Sequence, residues 1–136
     1  MQFEAGTVAT PFERRPYGME LALCQRYFEK SYDITTNPGT NTGLAGSIEE
    51  WGGGGVNFSA LVARVRFAVS KRIPPLGTAY DAIGNSGRVS AFLSGVQTDN
   101  LAGFSLDNLG HSGFKVYYAN TNLNRLSFHW TASAEW

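Results

Sequence analysis

Charge is scarce in this chain. Lysine, arginine, aspartate and glutamate together make up 16% of its 136 residues, against roughly 25% in an ordinary soluble domain. The 11 basic and 11 acidic residues cancel. That balance argues against nucleic acid or an anionic membrane surface as the partner, because both demand a basic footprint. Cysteine is nearly absent: Cys24 stands alone, so no intrachain disulfide can form. Its place among apolar neighbours predicts a buried thiol behaving as a small hydrophobe. The two histidines, His111 and His129, fit no metal-ligand spacing. No apolar run approaches the roughly 20 residues that cross a bilayer. The opening MQFEAGTVATPFERRP lacks the basic start and apolar core of a signal peptide. The glycines Gly52–Gly55 are followed by no Gly-Lys-Ser/Thr, so they read as a linker or hairpin turn and not as a phosphate loop. No cofactor motif is left.

What is present suits a turn-rich β protein: 43% hydrophobic residues, 13% aromatics and 16 glycines. The length is that of one domain, enough to bury roughly two thirds of the unfolded surface. The large neutral surface suits a subunit partly hidden in an assembly.

The one convincing helix is Tyr17–Phe28, YGMELALCQRYF. Pro16 precedes it, where a missing N–H and a fixed φ suit a helix start. Tyr17, Leu21, Cys24 and Phe28 recur at helical spacing, with Met19, Leu23 and Tyr27 widening the stripe. So short a helix is marginal alone, so its apolar face is expected to dock on a sheet. Residues 1–16 read as a short strand, over 2–9, and a proline-bounded linker. Residues 17–136 read as one module. Ser31–Ile34 is expected to lead into a strand, and Asn37–Gly55 to form a long surface loop pinned by Ile48 and Trp51.

The clearest strand lies within Val56–Ile73. Leu61, Ala63, Val65, Phe67 and Val69 point one way, and Arg64, Arg66, Ala68 and Ser70 the other. Arg64 and Arg66 stand side by side on the outer face, where solvated surface is the plain reading and an acidic ligand the sharper one. Further strands are expected at Thr78–Ile83, Arg88–Val96, Leu101–Leu106 and Phe114–Tyr118, with turns at GNSG, DNLGHSG and NTNLN. Arg88–Val96 carries Val89, Ala91 and Leu93 on one side and Phe92 and Val96 on the other; a strand apolar on both faces is covered on both. The closing stretch alternates cleanly. Leu126, Phe128, Trp130, Ala132, Ala134 and Trp136 share one face, and Ser127, His129, Thr131, Ser133 and Glu135 the opposite, polar one. It is expected to be a central strand with His129 at the surface. The fold class is therefore mainly β, a β-sandwich or jelly-roll of antiparallel strands with one short N-terminal helix.

Chemistry is hard to find. Glu49 and Glu50 are adjacent and point to opposite sides of an extended chain. Asp33, Asp81, Asp99 and Asp107 are scattered at turns, where aspartate caps backbone. No catalytic residue and no metal ligand is assigned. Binding candidates, from loop or outward positions, are Trp51, Tyr80, Asn85, Asn108 and Tyr117: aromatic planes and amides of the kind that hold a sugar ring.

Two segments carry a resemblance. GTVATPFERRPYGMELALCQRYFEKSYD and the ending LSFHWTASAEW resemble a module at the C-terminal end of bacteriophage tail-fibre and related virion proteins. The pattern is a VATPFExRPYxxELxLCQRYY start and an FxWxAxAE end. Phe28 stands where that family often has tyrosine, and Trp136 where leucine is more usual. The two ends are the specific part, and between them IPPLGTAYDAIGNSG resembles the family's proline-led strand and turn. The resemblance implies a virion structural protein and, by analogy with fibres, a homotrimer among other virion proteins. The first reading built on it is a tail-fibre or spike tip that attaches to a host cell-surface glycan, a ligand the analogy alone does not specify. Asn37–Gly55, Ile83–Arg88 and Asp107–Gly113 would be the recognition loops. The resemblance brings no catalytic residue; no nucleic acid and no membrane insertion are expected, on the charge balance and the lack of a long apolar run. The alternative within it is a purely structural decoration, adaptor or trimerisation module; a virion-borne hydrolase is a third reading.

Overall fold

The computed structural model describes residues 14–52 and 58–135. In chain order the elements are α1 (Tyr17–Gln25), β1 (Phe28–Lys30), β2 (Ile48–Trp51), β3 (Phe58–Arg66), β4 (Leu76–Tyr80), β5 (Val89–Leu93), β6 (Val96–Leu101), β7 (Ser105–Gly110) and β8 (Gly113–Ser133). The protein is mainly β with one short helix, as its sequence predicts. The expected strand over residues 2–9, the glycines Gly53–Gly55, Val56 and Trp136 lie outside the described residues.

The 21-residue β8 is the spine. Every other strand except β6 pairs with it, and all pairings are antiparallel. Its first part lies between β3 and β7, its middle between β2 and β5, and its end between β1 and β4. β6 extends the sheet beyond β5. Drawn straight, the sixteen residue steps from Phe114 to Trp130 would span roughly 50 Å. Their ring centroids are 5.6 Å apart and meet edge to face. The sheet therefore coils back on itself and closes a core between its two ends.

The bend has a local cause. Phe58 pairs with Leu123 and Ala60 with Ala119, so Ser59 alone faces Asn120, Thr121 and Asn122. Such a bulge bends a strand and sharpens its twist. Asn122 takes φ 61°, a left-handed conformation that asparagine tolerates better than most residues. The segment NTNLN, expected as a turn between two strands, is this bulge inside one strand. A second correction follows from Ser94 and Gly95, at φ 50° and 82°. They make the two-residue loop of a hairpin, so the single strand expected over Arg88–Val96 is β5 plus the start of β6. Phe92 does have a cover on its second face, from the same chain: the Arg125 guanidinium lies 3.9 Å from its ring centre. Val96 has none and is exposed.

The core is fed by alternation. Leu61, Ala63 and Val65 of β3 are buried, as are Phe114, Val116, Tyr118, Leu123, Leu126, Phe128, Trp130 and Ala132 of β8, with Ala79, Val89 and Ala91 from the other flank. Val62, Arg64 and Arg66 face outward. β3 stops at Arg66, but Phe67 still packs on Phe114 and Trp130, at 5.9 and 5.7 Å between centroids. The Asn37–Gly55 loop contains β2, held by Ile48 against the core. β7 runs through Gly110, into residues expected to form a turn.

The helix departs most from expectation. It ends at Gln25, and Phe28–Lys30 is already strand. None of its side chains is buried; Tyr17 is 70% exposed and Cys24 is exposed, not a buried thiol. What holds α1 is its C-terminal end. The Lys71 ammonium, itself buried, donates to the Gln25 carbonyl and pairs with Glu29 at 2.6 Å. The Arg72 N–H donates to the Arg26 carbonyl at 3.2 Å. A cation at orphan carbonyls caps a helix end, and here that replaces the docked stripe. Among the described residues no helix is long and apolar enough to cross a membrane.

Candidate functional site

The face of β8 turned away from the core carries the polar chemistry. Directly opposite residues in an antiparallel pair point the same way, so this face can be read in rows across the sheet.

Along the later part of β8 the outer face is covered. Trp51, Arg125 and Phe92 form one row. The Arg125 guanidinium lies between the two rings, 4.8 Å from that of Trp51 and 3.9 Å from that of Phe92. Its Nη1 is 3.6 Å from Glu49. Trp51 donates from its indole nitrogen to the same carboxylate at 3.3 Å. Four residues on, His129 is fully buried, which corrects its expected surface position. The loop between β1 and β2 closes over it. The Tyr32 ring stacks on it at 4.2 Å and 14°. Ser31 Oγ lies 3.2 Å from Nδ1 and Thr42 Oγ1 3.0 Å from Nε2. Ser31 Oγ also accepts from the Trp130 N–H at 2.9 Å. Desolvation holds the imidazole below its ordinary pKa and the Tyr32 phenol above its own. A serine beside a histidine is the pairing of an activated nucleophile. This ring, however, has both nitrogens engaged and no surface open to a substrate, so the contact acts as a latch on the loop.

Along Gly113–Ala119 the same face is bare. Arg64 of β3, Lys115 of β8 and Asp107 of β7 form a row. Val62, Tyr117 and Ser105 form the next, and Arg66 with Gly113 the row on the other side. A hollow of about 380 Å³ opens here, with Arg64, Arg66, Asn108, Ser112, Gly113 and Lys115 among the residues that line it. Gly113 lets β3 approach its backbone: a Cβ there would stand 2.2 Å from the Val65 carbonyl oxygen. Asn108, at φ 54°, turns out of the ladder where the β7–β8 register shifts. Lys115 reaches Asp107 at 3.8 Å, and no carboxylate lines the hollow.

The five sequence candidates therefore fall in three places. Asn108 lines the hollow, and Tyr117 lies one row from it, 39% exposed. Trp51 lies over Arg125 with most of its surface open, at 62%. Tyr80 and Asn85 do local work. Tyr80 packs edge-on against Tyr32 at 5.9 Å. Asn85 donates to the buried Asp81 carboxylate from its backbone N–H at 2.7 Å and its side chain at 2.8 Å. Asp81 also accepts from the N–H groups of Ile83 and Asn100, so it ties the GNSG turn to β6. The residues missed were Lys115 and Ser112. Lys115 was visible as an outward position on its strand; its register against Arg64 was not. Among the described residues no group of three His, Cys, Asp or Glu side chains is placed to hold a metal.

Set against family models, curated proteins and solved structures, the chain finds no match.

Proposed function

We propose that this chain is a structural module of a bacteriophage virion, at the tip of a tail fibre or spike, that attaches the particle to a glycan on the host surface. The resemblance of both chain ends to tail-fibre modules brings the reading. The observation that carries it is the bare outer face around the hollow. It offers an aromatic plane (Tyr117), an amide (Asn108) and cationic donors on strands fixed by β8, with the Ser112 hydroxyl in the two-residue turn between β7 and β8. A sugar ring stacks on such a plane while the donors read its hydroxyls, and strands hold those groups more rigidly than loops do. Weak single-site binding is multiplied when a homotrimer presents three copies. No cofactor enters this scheme.

The test is binding of the isolated protein to host cells and to a glycan array, with its solution mass measured alongside. Saturable cell binding by a trimer is expected. A chain that remains monomeric at high concentration counts against the trimer. One that enters virions yet binds no host surface leaves a second reading, a purely structural adaptor or decoration. A separate observation favours that alternative: Phe28 and Leu76 flank Ser133 in one row and are 40% and 76% exposed, an apolar strip suited to another virion protein.

A further inference from the structure

We propose, building on the attachment reading, that the hollow between β3, β8 and β7 binds the anionic group of an acidic saccharide, a carboxylate or a phosphate, through Arg64, Arg66 and Lys115. The chain as a whole is neutral, yet three cations line this one hollow and no acid does. Arg64 and Lys115 are directly opposite in the ladder, and like charges so placed destabilise a sheet. Arg66 stands two residues along on the same side, about 7 Å away. Asp107 answers Lys115 alone, at 3.8 Å. Neither the Arg64 nor the Arg66 side chain has a hydrogen-bond or ionic partner among the described residues.

A sheet that keeps unanswered like charges side by side has broken a local rule, and such breaks cluster where a ligand supplies the compensation. The guanidinium fork matches a carboxylate or phosphate with two parallel hydrogen bonds. Asn108 and Ser112 offer donors and acceptors for neighbouring hydroxyls, and Tyr117 in the adjacent row offers a ring face. The volume of about 380 Å³ lies within the range of small-molecule sites, roughly 300–1,000 Å³. Because the cations are exposed, their attraction is screened by salt, over about 8 Å at physiological ionic strength.

Calorimetric titration of the full chain tests this with three probes: tetragalacturonate for the carboxylate, glucose 6-phosphate for the phosphate, and maltotetraose as the neutral control. At low salt at least one acidic probe is expected to bind about tenfold or more tightly than the neutral one, and to weaken as salt is raised. The double variant Arg64→Gln/Arg66→Gln is expected to lose about tenfold or more of that affinity, with its thermal midpoint not lowered. Arg15→Gln, a charge removed from the exposed segment before α1, is expected to bind like the parent. Preference between the two acidic probes identifies the anion. Equal binding of the neutral probe, undiminished binding by the double variant, absence of binding by both acidic probes, or tighter binding of a single-stranded oligonucleotide overturns the proposal. Host-cell binding by the same proteins separates the two levels. If the double variant still binds cells as the parent does, the hollow is wrong and attachment stands. If the parent binds acidic probes but no cells, attachment is wrong and the hollow stands.

Discussion

Gly113–Ala119 and Leu123–Ser133 belong to one strand, and both alternate apolar with polar residues. Their inner faces meet the same fate, since Phe114, Val116, Phe128 and Trp130 are all buried in one core. Their outer faces do not. Lys115 and Tyr117 remain partly or well exposed, whereas Arg125, Ser127, His129 and Thr131 are buried. Alternation in a sequence reports which side chains are apolar. It does not report whether water reaches the polar ones. A polar face can be covered when the cover supplies hydrogen bonds and ring faces. Here Ser31, Thr42 and Tyr32 do so for His129. Arg125 is covered by the Trp51 and Phe92 rings with Glu49 3.6 Å from its Nη1, while its Nε and Nη2 have no partner among the described residues.

The largest effect expected is on the inner face common to both stretches. Trp130→Ala should cost about 3–5 kcal/mol, the usual loss for a large aromatic truncated in a core. Urea unfolding measures it. A double-mutant cycle with Phe114→Ala should add a coupling of about 0.5–1.5 kcal/mol, the worth of an edge-to-face pair. No coupling would mean that the two ends of β8 do not close on each other.

Next comes the covered outer face. His129→Ala leaves the Ser31 and Thr42 hydroxyls without their partner in a closed site, which should cost about 1–3 kcal/mol. The same ring gives a pH dependence. Its folded-state pKa lies below the ordinary value, so below about pH 6.5 the unfolded chain takes up the proton more readily than the folded one. The His129 contribution is therefore complete above that pH and shrinks as the pH falls through the folded pKa. Urea midpoints between pH 8 and pH 5 should decline, and the decline should flatten in His129→Ala. An equal slope in parent and variant would assign the dependence to other groups. Trp51→Ala should do less, about 0.5–2 kcal/mol, because only one of the two faces of Arg125 loses its ring.

These expectations show where the sequence was legible. The closing strand could be read as central because Leu126, Phe128, Trp130 and Ala132 repeat with period two, and that period survives in the fold. The same argument placed Arg64 and Arg66 outward. The helix was misjudged because apolar spacing over Tyr17–Phe28 says nothing about where the stripe goes; Lys71, some forty-five residues away, holds the helix end instead. The bulge at Asn120–Asn122 was hidden because asparagines at a turn and at a left-handed bulge look alike in sequence. Of the hollow, the outward arginines, Asn108 and Tyr117 could be seen. Register could not: Arg64 meets Lys115 only because β3 and β8 pair at that offset, and no local pattern encodes a pairing between positions 51 residues apart.

The bare half of the comparison should barely respond in stability at all. Arg64→Ala removes one of two like charges facing each other across the ladder, and its side chain holds no partner among the described residues. Surface changes of this kind stay within about 0.5 kcal/mol, and relief of the repulsion pushes the sign toward stabilisation. Thermal unfolding at low salt, where screening is weakest, reads the sign most clearly, and raising the salt should shrink the difference. A clear destabilisation would show that Arg64 is built into the sheet as Arg125 is, and the contrast between the two outer faces of β8 would then fail at its bare end.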